Sequence, residues 1–118
     1  MFKFKKNIKI AHQVLLLHMN KIQTIQEWAN YMDYNSARVF AREFKKEFNI
    51  PPNKVIIEER LGCVRGVVAG DINLNATEIS MKAGLSTAKS LYNFLRRNGN
   101  ITLTSLRQEL NSSDNLTL

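Results

Sequence analysis

The chain matches itself at an offset of 51 residues, and this internal period constrains its fold more than any single motif. Thr24-Ile25-Gln26-Glu27 reads as a capping box, in which a hydroxyl and a carboxylate satisfy each other's exposed backbone donors. Asn75 and Glu78 stand in the same relation one period later. From there the halves keep matching without a gap. Trp28 pairs with Ile79, Ala29 with Ser80, Met32 with Ala83 and Asp33 with Gly84. Asn35 pairs with Ser86, Ala37 with Ala88, Phe40 with Leu91 and Phe44 with Leu95. Lys45-Lys46 recurs as Arg96-Arg97, and Asn49-Ile50 as Asn100-Ile101. Few residues are identical, but apolar, turn and basic character is kept. Each half predicts a capped helix, a turn of about three residues and a second helix, the helix-turn-helix layout.

The apolar spacing is helical throughout, and no strand-length alternation lies between Gly-rich turns. The expected fold class is all-α, with about seven helices: two helix-turn-helix subdomains joined by a central linker helix. The first helix is expected over residues 9–20, with Ile10, Val14 and Leu17 on one face. The second opens at Thr24 and carries the stripe Ile25, Trp28, Ala29 and Met32. The third runs from Ser36 to Phe48 and is closed by Asn49-Ile50-Pro51-Pro52, since Asn tolerates the left-handed turn and proline cannot continue a helix. A fourth is expected over 52–68, its stripe being Ile57, Leu61, Val64 and Val68. Within it, Gly62 and Gly66 each cost about 1 kcal/mol relative to Ala, which predicts close approach of a neighbouring helix. The fifth begins near Asn75 and buries Ala76, Ile79, Ser80 and Ala83. The sixth covers 87–98, and a short seventh turns Leu103 and Leu106 inward. In this reading the chain is one domain over 1–118, with subdomains at 9–50 and 71–107, the linker at 52–68 and a disordered tail over 108–118.

A chain of 118 residues suits one domain, and 44% hydrophobic residues suffice for a core. The net charge of +7 favours an anionic partner, but the placement of the charge has to carry that argument. On a helical wheel with Phe40 at zero, Phe44, Ala37, Phe48 and Ala41 fall within about 100° and form the buried side. Arg38, Arg42, Lys45 and Lys46 fall at about 160°, 200°, 140° and 240°, on the opposite side. Lys89, Asn93, Arg96 and Arg97 hold the same angles in the second half, while Glu43 and Glu47 stay outside the basic arc. A solvated charged face explains one such helix easily. It explains two in matched register less well.

At these residues the chain resembles the DNA-binding domain of AraC/XylS-family transcription regulators. The resemblance runs over about 9–107. Its strongest stretches are the segment from Phe40 to Asn49, the segment from Val55 to Val68 with Arg60 and Leu61, and Glu78-Ile79-Ser80 through Gly84-Leu85-Ser86. It implies sequence-specific binding of double-stranded DNA and regulation of transcription, with two recognition helices in successive major grooves. A linker of about 26 Å, with the flanking modules added, would let one monomer reach grooves ~34 Å apart. Arg38, Arg42, Lys89 and Asn93 are then expected to contact bases, with Ser36, Thr87 and Tyr92 as secondary contacts. Arginine pairs bidentately with guanine and asparagine with adenine. Lys45, Lys46, Arg96 and Arg97 lie further along and are expected at phosphates. Arg60 is weighed between a structural ion pair and a DNA contact, with the ion pair preferred.

Other chemistries find little support. His12 and His18 are six residues apart, so they share no helix face as a zinc pair would. The single cysteine, Cys63, permits no intrachain disulfide, suits a reducing cytoplasm and is expected to pack in the core. No glycine-rich phosphate loop or nucleophile–base pair stands out, so neither an enzyme nor a cofactor or metal is expected. The basic start, Met1 to Lys6, followed by Val14-Leu15-Leu16-Leu17, superficially resembles a signal peptide. His12, Gln13 and His18 interrupt the apolar run, so a basic arm before a core-facing helix is expected instead of a membrane anchor. The 118 residues leave no room for an effector-sensing domain, so either a standalone regulator, which Met1 favours, or a fragment of a larger one is expected. RNA polymerase is a second candidate partner. The rival reading is a helix-turn-helix module whose basic faces meet an acidic protein.

Overall fold

The computed structural model describes residues 4–116, and side chains as far as residue 110. The chain is all-α among the described residues, as the periodicity predicts. Helix α1 is Ala11–Leu17, α2 Ile25–Tyr31, α3 Ala37–Phe48, α4 Pro52–Gly70, α5 Ala76–Lys82, α6 Ala88–Phe94 and α7 Leu103–Leu116. A 3₁₀ turn, Ile8–Ile10, precedes α1, and a π turn, Leu95–Gly99, extends α6. Two compact units divide between Glu59 and Arg60, within α4. No helix among the described residues is long and apolar enough to cross a membrane.

The first unit is assembled around aromatic rings. Trp28 is fully buried, and its ring centroid lies 5.2 Å from that of Phe40 and 4.9 Å from that of Phe44. Its indole Nε1 donates to the Ala11 carbonyl at 2.9 Å, so the one polar atom of the side chain has a partner inside the core. Tyr34 meets Phe40 edge-on at 5.3 Å, and Phe48 packs on Phe44 at 4.5 Å. Ala11, Val14 and Leu15 of α1, then Ile22, Ala29 and Met32, and Ile56 of α4 complete this cluster.

Here the expected first helix is corrected. It begins as a 3₁₀ turn and ends at Leu17, and the residues it buries are Ala11, Val14 and Leu15. Ile10 is exposed, and Leu17 is 77% exposed. Four consecutive apolar residues, Val14 to Leu17, span more than one turn, so two of them must face water whichever way the helix docks.

The second unit has an aliphatic core: Val64, Val68, Ile79, Ala83, Leu91, Leu95, Leu103 and Leu106. The buried row of α4 is Ile56, Arg60, Val64 and Val68, at four-residue spacing, with Ile57 and Leu61 only half-buried. A charged residue therefore takes a core position where hydropathy predicts the neighbouring aliphatics. Arg60 is 3% exposed, and its Nε donates to the Ala83 carbonyl at 3.0 Å, at the C-terminal end of α5. Such a carbonyl has no partner within its own helix, and a guanidinium satisfies it well.

The helical glycines are corrected as well. A Cβ added at Gly62 or Gly66 would meet no atom within 4 Å, so no neighbouring helix approaches there. Gly99 is the close-packed one: its added Cβ would lie 3.2 Å from Ile101 Cγ2 and 3.3 Å from Leu61 Cδ2.

The chain after 107 stays helical to Leu116, where a disordered tail over 108–118 was expected; residues 117–118 lie outside the described residues. Thr102 opens α7 by accepting from the Ser105 amide at 3.1 Å. Buried Leu103 and Leu106 anchor the helix, and Arg65 pairs with Glu109 at 3.1 Å. A docked first turn meets the nucleation cost of a helix, after which each further residue adds one backbone hydrogen bond.

Candidate nucleic-acid interface

The repeat extends to individual backbone bonds. Thr24 and Asn75 each accept from the amide of the glutamate three residues on, and both capping boxes close. After α2 the chain turns through Asp33 at φ 60°, and after α5 through Gly84 at φ 78°. The Tyr34 amide then donates to the Ala29 carbonyl at 2.9 Å, and the Leu85 amide to the Ser80 carbonyl at 2.8 Å. Each pair of residues is 51 apart, so the two turns are the same hydrogen-bonded structure. Ser36 and Thr87 open the next helices, accepting from the amides of Val39 and Ser90 at 3.3 and 3.0 Å. Asn49 and Asn100 close them in the left-handed conformation.

This frame rotates α3 so that Phe40 and Phe44 are buried and Arg38, Arg42, Lys45 and Lys46 are all exposed. Lys45 and Lys46 occupy the last turn, where cations offset the negative end of the helix dipole. The first unit thus brings together all four of its predicted cationic residues on one side of one helix. Ser36 is half-buried and its oxygen serves the cap.

In the second unit, Leu91 and Leu95 are buried while Lys89, Tyr92, Arg96 and Arg97 are exposed. Tyr92 leaves 51% of its surface in water, although it is a large ring. Asn93 is half-buried between two open grooves. One is lined by Lys89, Tyr92, Arg96, Ile101 and Thr102, the other by Ser90, Phe94, Arg97 and Asn98. Arg96 donates from Nη2 to Asn93 Oδ1 at 3.2 Å. Thr87 is engaged at the cap and also donates to Ser90 Oγ at 3.1 Å.

The two faces diverge at their C-terminal ends. The Asn49 amide closes α3 on the carbonyl of Lys45, four residues back, whereas the Asn100 amide reaches Leu95, five back. Arg96 and Arg97 therefore lie on a wider π turn, where Lys45 and Lys46 lie on a regular α-helical turn. The physical reason is at position 99. Phe48 of α3 packs on Phe44, while its counterpart Gly99 has no side chain and admits Leu61 and Ile101 close to the backbone.

Sequence reasoning missed the attachment of the basic N-terminal segment. Lys5 Nζ lies 3.0 and 3.1 Å from the two oxygens of Glu43, and 5.2 Å from the centroid of the Tyr34 ring. Lys6 Nζ reaches Asp33 at 2.6 Å and the Tyr31 carbonyl at 2.8 Å, and its amide reaches the Met32 carbonyl at 2.8 Å. Tyr34 donates to Glu43 at 3.2 Å. Burial, then the Glu43 charge and this hydrogen bond, push the Tyr34 pKa up to about 12. These partners are 27 and 38 residues apart, beyond any local pattern. Cys63 is half-buried against the second core with its thiol pKa raised by burial, an effect the Arg60 charge opposes. Among the described residues no group of three or more His, Cys, Asp or Glu side chains could hold a metal ion.

No family model matches the sequence, and no curated protein matches it. Solved structures do. The C-terminal domain of the two-component response regulator YesN from Fusobacterium nucleatum is similar with a TM-score of 0.71 at 17% identity, covering 84% of this chain and 95% of that one. The DNA-binding domain of AdpA, a global transcriptional factor solved in complex with a target DNA, gives 0.72 at 16% identity, covering 92% and 96%. An AraC-type DNA-binding-domain regulator from Chromobacterium violaceum gives 0.66 at 21% identity, covering 87% and 90%. The fold is therefore that of the AraC-type DNA-binding domains, as the resemblance in sequence implies.

Proposed function

We propose that the protein binds double-stranded DNA sequence-specifically and regulates transcription, with α3 and α6 inserted into successive major grooves. The observation that carries this reading is the paired presentation. Two units with the same caps and turns each turn a buried apolar side inward and a polar, mostly basic side outward on the second helix of a helix-turn-helix. The likeness to the AdpA domain, solved with its target DNA, supports it. Arg38 and Arg42 near the start of α3, and Lys89 and Asn93 on α6, read base edges, with Ser36, Thr87 and Tyr92 in support. Lys45, Lys46, Arg96 and Arg97 meet phosphates and set register. One chain carries both reading helices, so a monomer suffices and the site need not be palindromic.

Selection of duplexes from a random pool, followed by binding across salt concentrations, tests this. A reproducible motif is expected. Arg38→Ala should then lose about 1–3 kcal/mol of discrimination at one base pair. Lys45→Ala should weaken all sequences alike and flatten the salt slope by about one unit. Equal effects of the two substitutions would refute the assignment of roles. Weak, salt-erased binding with no motif would favour an acidic protein as the partner.

A further inference from the structure

A carboxylate on a phosphate-facing helix opposes binding, and α3 carries two where the second unit has none. Glu43 and Glu47 correspond to Phe94 and Asn98. Glu43 is held in a compact arrangement: both its oxygens face Lys5 Nζ, one also accepts from Tyr34, and the Lys5 ammonium lies over the Tyr34 ring. The next residue, Lys6, anchors the segment through three contacts around the turn at Tyr31, Met32 and Asp33. The strap is thus pinned at the turn and again at mid-α3. Phe4 ahead of it is 89% exposed and borders a groove shared with Asn35, Ser36 and Val39, at the start of the recognition helix.

Exposed ion pairs contribute little to folding, so stability is a poor account of so specific an attachment. Their effect on a polyanion is larger, because each cancelled negative charge removes a repulsion that acts over a Debye length. We infer that residues 4–6 belong to the DNA-facing surface of the first unit, where Lys5 cancels the charge of Glu43 and Lys6 holds Lys5 in place. Lys5 is a positioning residue here, acting on DNA through Glu43. The inference rests on the DNA-binding reading above.

The test is a double-substitution cycle on the whole chain, with a duplex carrying the selected motif at low salt. Lys5→Ala should weaken binding about three- to tenfold with an unchanged melting midpoint. Lys6→Ala should act in the same direction. Adding Glu43→Gln to either should restore affinity to within about twofold of the unsubstituted protein. If the Lys5→Ala loss persists undiminished beside Glu43→Gln, Lys5 touches phosphate itself and the inference is overturned. No loss on Lys5→Ala overturns it equally. Failure of the unsubstituted protein to bind any duplex would instead sink the DNA reading, and the strap's role with it.

Discussion

The two units reach one backbone design from different cores. In the first, Trp28, Phe40, Phe44 and Tyr34 interlock as rings; in the second, Ile79, Leu91, Leu95 and Leu85 stand at the same positions. The smaller side chains of the second are supplemented by Leu103 and Leu106 of α7 and by Val64 and Val68 of α4. What is shared is the punctuation: the capping glutamates, the positive-φ residue after the first helix, the hydroxyl opening the second and the left-handed Asn closing it. Caps and turns thus set the angle between the two helices of each unit, and any apolar set of suitable volume then fills it. The outward faces differ in kind too. Four cations line α3, whereas α6 mixes Lys89, Tyr92 and an Asn93 that accepts from Arg96.

The largest test of this contrast is in the cores. Trp28→Ala should cost about 3–5 kcal/mol in urea unfolding, because it opens a ring-sized cavity. It also removes the Trp28–Ala11 hydrogen bond that ties α2 to α1. Ile79→Ala should cost less, within the range of about 2–5 kcal/mol. A larger loss at Ile79 would break the view that rings dominate the first unit.

Alkaline titration separates the two units as well. The folded Tyr34 pKa lies above its ordinary value of 10.0, so the stabilisation tied to its bound proton is complete below pH 10 and is lost as pH rises towards 12. The loss is on the order of 3 kcal/mol. Its counterpart Leu85 cannot titrate, so the effect belongs to the first unit. Tyr34→Phe should flatten that part of the stability–pH curve, and an identical slope would deny that burial and Glu43 raise the Tyr34 pKa.

Gly84→Ala should cost about 1–2 kcal/mol, since only glycine holds φ 78° without strain. Asp33→Gly relieves the matching strain but removes the Lys6 ion pair, so its melting point should move less. The smallest effect is a gain. Gly62→Ala and Gly66→Ala should each raise stability by up to about 1 kcal/mol, because nothing crowds either site. A loss would mean that the open space around α4 is needed.

Helix order, both capping boxes, both turns and the exposure of α3 and α6 were legible because each is set by residues within a few positions of one another. Periodicity was less informative where apolar residues run together. At Val14 to Leu17 the pattern cannot say which two point inward, and packing put Leu15 inside and Leu17 out. On α4 a shift of the stripe by one residue exchanged Ile57 and Leu61 for Ile56 and Arg60, and no hydropathy argument would bury an arginine.

Local chemistry in the chain determined two matched helix-turn-helix units with basic outer faces, since caps, turns and wheel angles are short-range properties. Tertiary structure alone decided that Arg60 serves the end of α5, that Lys5 and Lys6 fasten the N-terminal segment across the first turn, and that α6 ends in a wider π turn around Gly99. Each of these depends on partners far apart in sequence, brought within hydrogen-bond or van der Waals distance only once the cores have formed.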